Sequence, residues 1–372
     1  MEGVEDPGVS RFREYLRINT MQPTPDYDAA LDFLRKQAEA IGLEFRVLES
    51  GVKDKPIGLI TWKGTRPELK SVLLTSHMDV VPVFEEHWKY PPFSAHKDEK
   101  GDIFARGAQD MKCVTSWYLE AIRRLKTQGQ TFLRTIHLLF TSDEEVGSKP
   151  SELFSQSKDF QKLNVTFGLD EGIASPDEKM RVFYGERSIW WIKITFKGQP
   201  GHGSQFKKNP EQGLGSFLTV NMTQIEGGVQ PNVVPAALSA VFDMRIPPTE
   251  NLAALKKKIS QWCQEAGDDV ITEMLVDGNS SETVSLTDEN PWWIAFQSAC
   301  KAANVELQTE IFPAATDSRY LRKSGADMIG FSPMNNTPIL LHDHNEYLNE
   351  KVFIRGVDIY CKIISALANV EV

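Results

Sequence analysis

Five short clusters in this 372-residue chain carry the side chains that divalent cations favour. In order they are His77-Met78-Asp79, Gly107-Ala108-Gln109-Asp110-Met111-Lys112, Asp143-Glu144-Glu145, Asp170-Glu171-Gly172 and His342-Asp343-His344-Asn345-Glu346. Imidazole nitrogen and carboxylate oxygen are the ligands of zinc and its neighbours, and a hydrolytic site keeps one position open for water. Two ions that share a bridging carboxylate need about five protein ligands, which two histidines and three acids can supply. Adjacent Glu144 and Glu145 can divide the work, one binding metal and the other handling a proton. Each cluster also has a plainer reading. Asp110 is placed to cap a helix that starts after it, Glu144-Glu145 can be a solvated loop, and His342 with His344 a surface pair. The succession of clusters, most of them at strand-to-loop junctions, favours the metal reading.

The first cluster closes the apolar run Leu73-Leu74-Thr75-Ser76, which reads as a buried strand. In extended chain, residues i and i+2 leave the backbone on the same face, so His77 and Asp79 share one. That suits a metal ligand and a carboxylate that orients it. Further strand-like runs at 43–48, 57–62, 134–141 and 165–169 alternate with helical patterns at 26–41 and 110–126. Asp26 supplies a cap and Gly42 a stop for the first of these helices. Strand–helix alternation with acids after the strands predicts an α/β fold whose site lies along the carboxyl ends of its strands.

From 181 the texture changes to a long β-rich stretch, a glycine-rich turn at 198–204, strands at 217–225 and 238–245, a helix at 251–264 and a strand at 270–275. The block 185–285 reads as a smaller α+β domain inserted between the parts 1–184 and 286–372 of a larger one. After Asn290 the first texture returns, with a helix at 291–303, strands at 306–311 and 328–331, and a closing helix at 353–366. Two domains also suit the length.

The composition is that of a globular protein, 41% hydrophobic and 25% charged. A net charge of −10, from 41 basic and 51 acidic residues, argues against nucleic acid or an anionic membrane as the main partner. Four widely spaced cysteines without a Cys-x-x-Cys pair read as reduced thiols. The acidic first seven residues have no apolar core, so they do not form a signal peptide, and no apolar run reaches membrane-span length. The expectation is a soluble, cytoplasmic protein.

The ordered series S-H-M-D-V-V-P, R-G-A-Q-D-M-K, T-S-D-E-E-V-G, L-D-E-G, G-H-G-S and H-D-H-N-E closely resembles that of the di-zinc amidohydrolases and peptidases. This family includes aminoacylases, carboxypeptidase G and succinyl-diaminopimelate desuccinylase. The match runs over nearly the whole chain. The segments Y-P-P-F-S-A, L-D-E-G-I-A, P-A-A-T-D-S-R-Y and L-L-H-D-H are most similar to the aminoacylase branch. The resemblance implies a mixed-sheet catalytic domain with an inserted lid and dimerisation domain, and hydrolysis of N-acyl-L-amino acids, N-acetyl ones above all. It implies two zinc ions, one on His77 and Glu171, the other on Glu145 and His342, with Asp110 bridging. Asp79 would orient His77, and Glu144 would be the general base. His202 would donate to the oxyanion across a homodimer. Asn232 and Arg245 would hold the substrate carboxylate, a task suited to a guanidinium fork, and Thr316 would line the site. For Asn232 a plain turn is the alternative, and for Arg245 a surface strand position.

One segment departs from the family. After Gly-His-Gly-Ser a long lid helix is expected, but residues 205–215 read Q-F-K-K-N-P-E-Q-G-L-G. Pro210, Gly213 and Gly215 make a stable helix there implausible. The reading that follows is a deletion form with weakened dimerisation, reduced turnover and an apolar lid face left open. Two alternatives stand beside the aminoacylase reading: a dipeptidase or carboxypeptidase with the same chemistry, and a catalytically silent metal-binding form.

Overall fold

A computed structural model describes residues 5–196, 217–228, 235–278 and 282–371. The described chain divides into two compact units, one built from 1–184, 284–309 and 316–372, the other from 185–283 and 310–315.

The larger unit is a mixed eight-stranded sheet with helices packed on it. Its strands run in the order Glu44–Glu49, Pro56–Trp62, Ile136–Thr141, Ser71–His77, Val165–Asp170, Asp327–Phe331, Met180–Glu186 and Leu307–Phe312. The four central strands, from Ile136–Thr141 to Asp327–Phe331, are parallel to one another, and antiparallel pairs flank them. Parallel strands covered on both faces read as continuous apolar runs, and every residue of Ser71–His77 and of Ile136–Thr141 is buried. Three of these central strands end at His77, Thr141 and Asp170, so three of the polar clusters leave the sheet at one end.

The helices are placed by their caps and apolar faces. Asp26 accepts from the Ala29 N–H at the start of Tyr27–Ile41, and Gly42 ends it at φ +76°, a conformation that favours glycine. The helix Lys112–Thr127 buries its whole first half and crosses Glu350–Leu367 closely. A Cβ on Gly356 would stand 2.3 Å from Trp117 Nε1, so only glycine lets the two backbones approach while Trp117 donates to the Phe353 carbonyl at 2.8 Å. The sequence pattern started this helix at 110. It begins at Lys112, no side chain caps it, and Asp110 is left free for other work. A first helix, Pro7–Leu16, is capped by Asp6 and was not anticipated.

In the smaller unit the strands Thr219–Gly227, Leu238–Ile246, Ser188–Phe196 and Val270–Asp277 form an antiparallel sheet in that order. The expected single stretch from 181 is two strands, Met180–Glu186 in the large sheet and Ser188–Phe196 in the small one. The helix Leu252–Ala266 puts Ile259 and Cys263 against Trp190, Ile192, Met244 and Ile246. Val220, Met222, Ile225, Ile271 and Leu275 are exposed. No described helix is long and apolar enough to cross a membrane.

Candidate metal centre

The clusters of the larger unit meet around Asp110. Its Oδ1 lies 3.1 Å from His77 Nε2, and its Oδ2 lies 3.1 Å from His342 Nε2. Beside the same nitrogen of each imidazole stands a second carboxylate: Glu171 Oε1 is 3.6 Å from His77 Nε2 and Glu145 Oε2 is 3.0 Å from His342 Nε2. His77, Asp110 and Glu145 present ligand atoms within 4.8 Å of one another, and so do His77, Glu144 and Glu171. One carboxylate thus faces two imidazoles, with one further acid beside each.

The local structure dictates this arrangement. His77 Nδ1 lies 2.9 Å from the Asp79 carbonyl oxygen, which can only accept. Nδ1 therefore carries the hydrogen and Nε2 is the atom presented to Asp110 and Glu171. The ring was expected to be oriented by the Asp79 side chain. That carboxylate is 3.7 Å away, beyond a hydrogen bond, and turns instead to the backbone N–H groups of Glu144 and Glu145 at 3.1 and 3.3 Å. Asp79 orients the histidine with its backbone and the glutamate turn with its side chain. Glu346, which the sequence reading left without a role, does the same for Asp110. Fully buried and paired with Arg106 at 2.8 Å, it accepts from the N–H groups of Gly107, Gln109 and Asp110. The H-D-H-N-E motif contains it, but only folding shows which loop it holds.

The electrostatics are those of four acids crowded around two imidazoles. Burial, then repulsion from Asp110, pushes Glu145 up to about 7. Burial likewise raises Glu144 and Glu171 well above the usual carboxylate range, with their acidic neighbours adding to it. Burial alone would raise Asp110 too, but His342 and His77 hold it well below that range. Hydrogen bonds to Asp110 and Glu145 lift the half-exposed His342 to about 10. Glu145 Oε1 is buried without a hydrogen-bond partner, a costly condition for a carboxylate oxygen that a cation relieves. Oxygen and imidazole donors, crowded acids and this orphaned oxygen all fit divalent ions.

The matched sequence agrees with the geometry. Residues 73–366 match the model of peptidase family M20/M25/M40. The chain belongs to that family. It is 49% identical to aminoacylase-1 of Mus musculus over 394 residues, covering 98% of this chain and 96% of that one. The alignment is longer than the chain itself, so part of the relative has no counterpart here. A family metallo-carboxypeptidase of Sulfolobus solfataricus shares the fold with a TM-score of 0.79 at 15% identity, covering 98% of this chain and all of that one. So does a Bacillus subtilis family member described as a dinuclear metal binding peptidase, with a TM-score of 0.69, 15% identity and 98% of each chain covered.

Thr316, buried in the larger unit, accepts from the Ser318 N–H at the start of the helix Ser318–Lys323. Its neighbour Asp317 accepts from the hydroxyls of Thr141 and Ser151. Arg245 is in the smaller unit, on Leu238–Ile246, where its Nε donates to both oxygens of Asp243 at 2.9 and 3.2 Å. His202, Asn232 and the 205–215 segment fall outside the described residues.

Proposed function

We propose that this chain is a zinc-dependent aminoacylase that hydrolyses N-acyl-L-amino acids, N-acetyl ones above all, to a carboxylate and a free amino acid. The observation that carries the reading is Asp110 set between two imidazoles, each with its own second acid, in a chain 49% identical to an aminoacylase-1 over nearly its full length. His77 and Glu171 would hold one zinc ion, Glu145 and His342 the other, with Asp110 shared. The ions supply Lewis acidity, polarising the scissile carbonyl and making water a nucleophile near neutral pH.

The remaining steps belong to the chain's own groups. Glu144, close to His77 and Glu171 but outside the five proposed ligands, takes the proton of the attacking water and delivers it to the leaving amine. The C–O bond forms first, giving the oxyanion, and the C–N bond breaks as the proton that Glu144 took from water reaches the amine. Burial and acidic neighbours raise its basicity, which suits a base at neutral pH. Asp79 holds the Glu144 and Glu145 backbone in place. In this reading Arg245 and Asn232 bind the substrate carboxylate, Thr316 lines the site, and His202 assists the oxyanion from a second copy in a cytoplasmic homodimer. Four free cysteines fit a reducing compartment.

A silent form is the second reading, favoured by the missing counterpart to part of the aminoacylase and by the Pro- and Gly-broken 205–215 segment. Zinc-supplemented protein should release methionine from N-acetyl-L-methionine faster than from dipeptides, and Glu144→Gln should abolish the release. Dipeptides cleaved in preference would overturn the substrate. No release from folded, zinc-loaded protein would establish the silent form.

A further inference from the structure

Asp79 and Asp143 are tied to one side chain. Gln22 Nε2 donates to Asp79 Oδ2 and to Asp143 Oδ1, both at 2.9 Å. The same Asp143 oxygen accepts from the Tyr27 hydroxyl at 2.7 Å and the Lys55 ammonium at 2.8 Å. The Asp143 backbone N–H donates back to the Tyr27 oxygen at 2.9 Å. Gln22 is itself pinned. Its N–H donates to the Val80 carbonyl and the Val80 N–H donates to the Thr20 carbonyl, each at 3.0 Å, so residues 20–22 run alongside the residue after Asp79. Two segments far from it in the chain, residues 20–27 and Lys55, therefore converge on the residue immediately before Glu144. Asp143 needs the support, because it sits at φ +60°, a left-handed conformation that persists when its surroundings over-determine it. Three donors thus meet on one oxygen of a carboxylate that is only partly buried.

We propose that Gln22, Tyr27 and Lys55 are positioning residues for the hydrolytic site, forming a clamp on Asp143 and Asp79 that sets where Glu144 and Glu145 point. None of the three is among the groups that hold ions or move the proton. Each acts through the turn at 143–145, as the outer partners of metal sites do when they hold ligands in register. The inference rests on Glu144 as base and Glu145 as ligand. All three donors make charge-assisted bonds to the Asp143 carboxylate, but Lys55 alone brings a positive charge to it, so its removal costs most.

The test compares Lys55→Met, Tyr27→Phe and Lys55→Arg in the full chain. One readout is kcat and KM for N-acetyl-L-methionine with zinc. The other is the visible spectrum of the cobalt-loaded protein, which reports ligand geometry whatever the substrate. Lys55→Met should lose about 10- to 100-fold in kcat at unchanged KM, with displaced cobalt bands. Tyr27→Phe should move the same way by less, and Lys55→Arg should recover most of the loss. Wild-type kcat and wild-type cobalt bands in both Lys55→Met and Tyr27→Phe would overturn the clamp. So would a loss confined to KM, or one that arginine does not recover. Should Lys55→Met not fold, Tyr27→Phe decides alone. If the wild type cleaves no N-acyl amino acid, the substrate reading fails while the cobalt bands still judge the clamp.

Discussion

Two strands of similar length show how differently the two units are built. Every residue of Ser71–His77 is buried, with a parallel neighbour on each side. Eight of the nine residues of the edge strand Thr219–Gly227 are exposed, among them Val220, Met222 and Ile225. The first strand ends in a metal-ligand candidate, and its burial on both faces fixes where His77 Nε2 points. The second pairs with Leu238–Ile246 on one side and, among the described residues, with no strand on the other, an edge of the kind proteins ordinarily cover or charge. Catalytic geometry needs atoms held to fractions of an ångström, whereas a unit that moves or associates is drawn from the less stable end of a structure. The difference is between a sheet that carries the ligand candidates and one whose described edge strand exposes apolar side chains.

The strongest way to break this comparison is to spare the buried sheet and remove only its chemistry. Glu144→Gln should lower kcat by about 10²–10⁴-fold with unchanged melting temperature and unchanged metal content. A comparable loss of folded protein would mean that the glutamate serves the fold instead. Packing comes next. Leu74→Ala in the middle of the buried strand should cost about 2–5 kcal/mol in urea unfolding.

Acid should weaken the same sheet. His137, buried in Ile136–Thr141 with its Nδ1 3.0 Å from the Thr61 hydroxyl, is pushed by burial down to about 4. The folded state therefore binds fewer protons than the unfolded state between pH 4 and 6.5. Stability present above 6.5 is lost as the pH falls, by up to about 3 kcal/mol at pH 4. His137→Gln should flatten that part of the profile in urea titrations, and an unaltered slope would exclude this histidine as its cause. At the other extreme, Ile225→Lys on the open strand should change stability by less than about 0.5 kcal/mol. A cost near that of Leu74→Ala would show the edge to be packed after all.

What the sequence made legible follows the same division. His77, Glu144-Glu145 and Glu171 stand at or just after the ends of parallel strands, a place the strand pattern marks, whereas the choice of His77, Asp110, Glu145, Glu171 and His342 as the ligand set came from the resemblance of the ordered motifs. Neither picks out Gln22, Tyr27, Lys55 or Glu346. Gln22 meets Asp143 from 121 residues away, and Glu346 meets Gly107 from 239, with no periodicity to announce either contact. Asp110 as a helix cap was a fair local expectation, but the pull of two imidazoles outweighs an N-cap bond of about 1 kcal/mol. Asp6-Pro7, by contrast, is an N-cap signal with proline at the first helical position, local enough to be legible in the sequence. The orienting role of Asp79 was placed on the wrong atoms, since i+2 spacing says which face a side chain occupies and not whether the carbonyl reaches the ring first.

The account stands or falls on Asp110 lying between two ions, and the direct measurement is a zinc titration of metal-stripped protein by calorimetry, with bound zinc counted after dialysis. The account predicts two ions per chain, and a marked weakening of both in Asp110→Ala. A single ion per chain, or two ions bound equally well without Asp110, would contradict it.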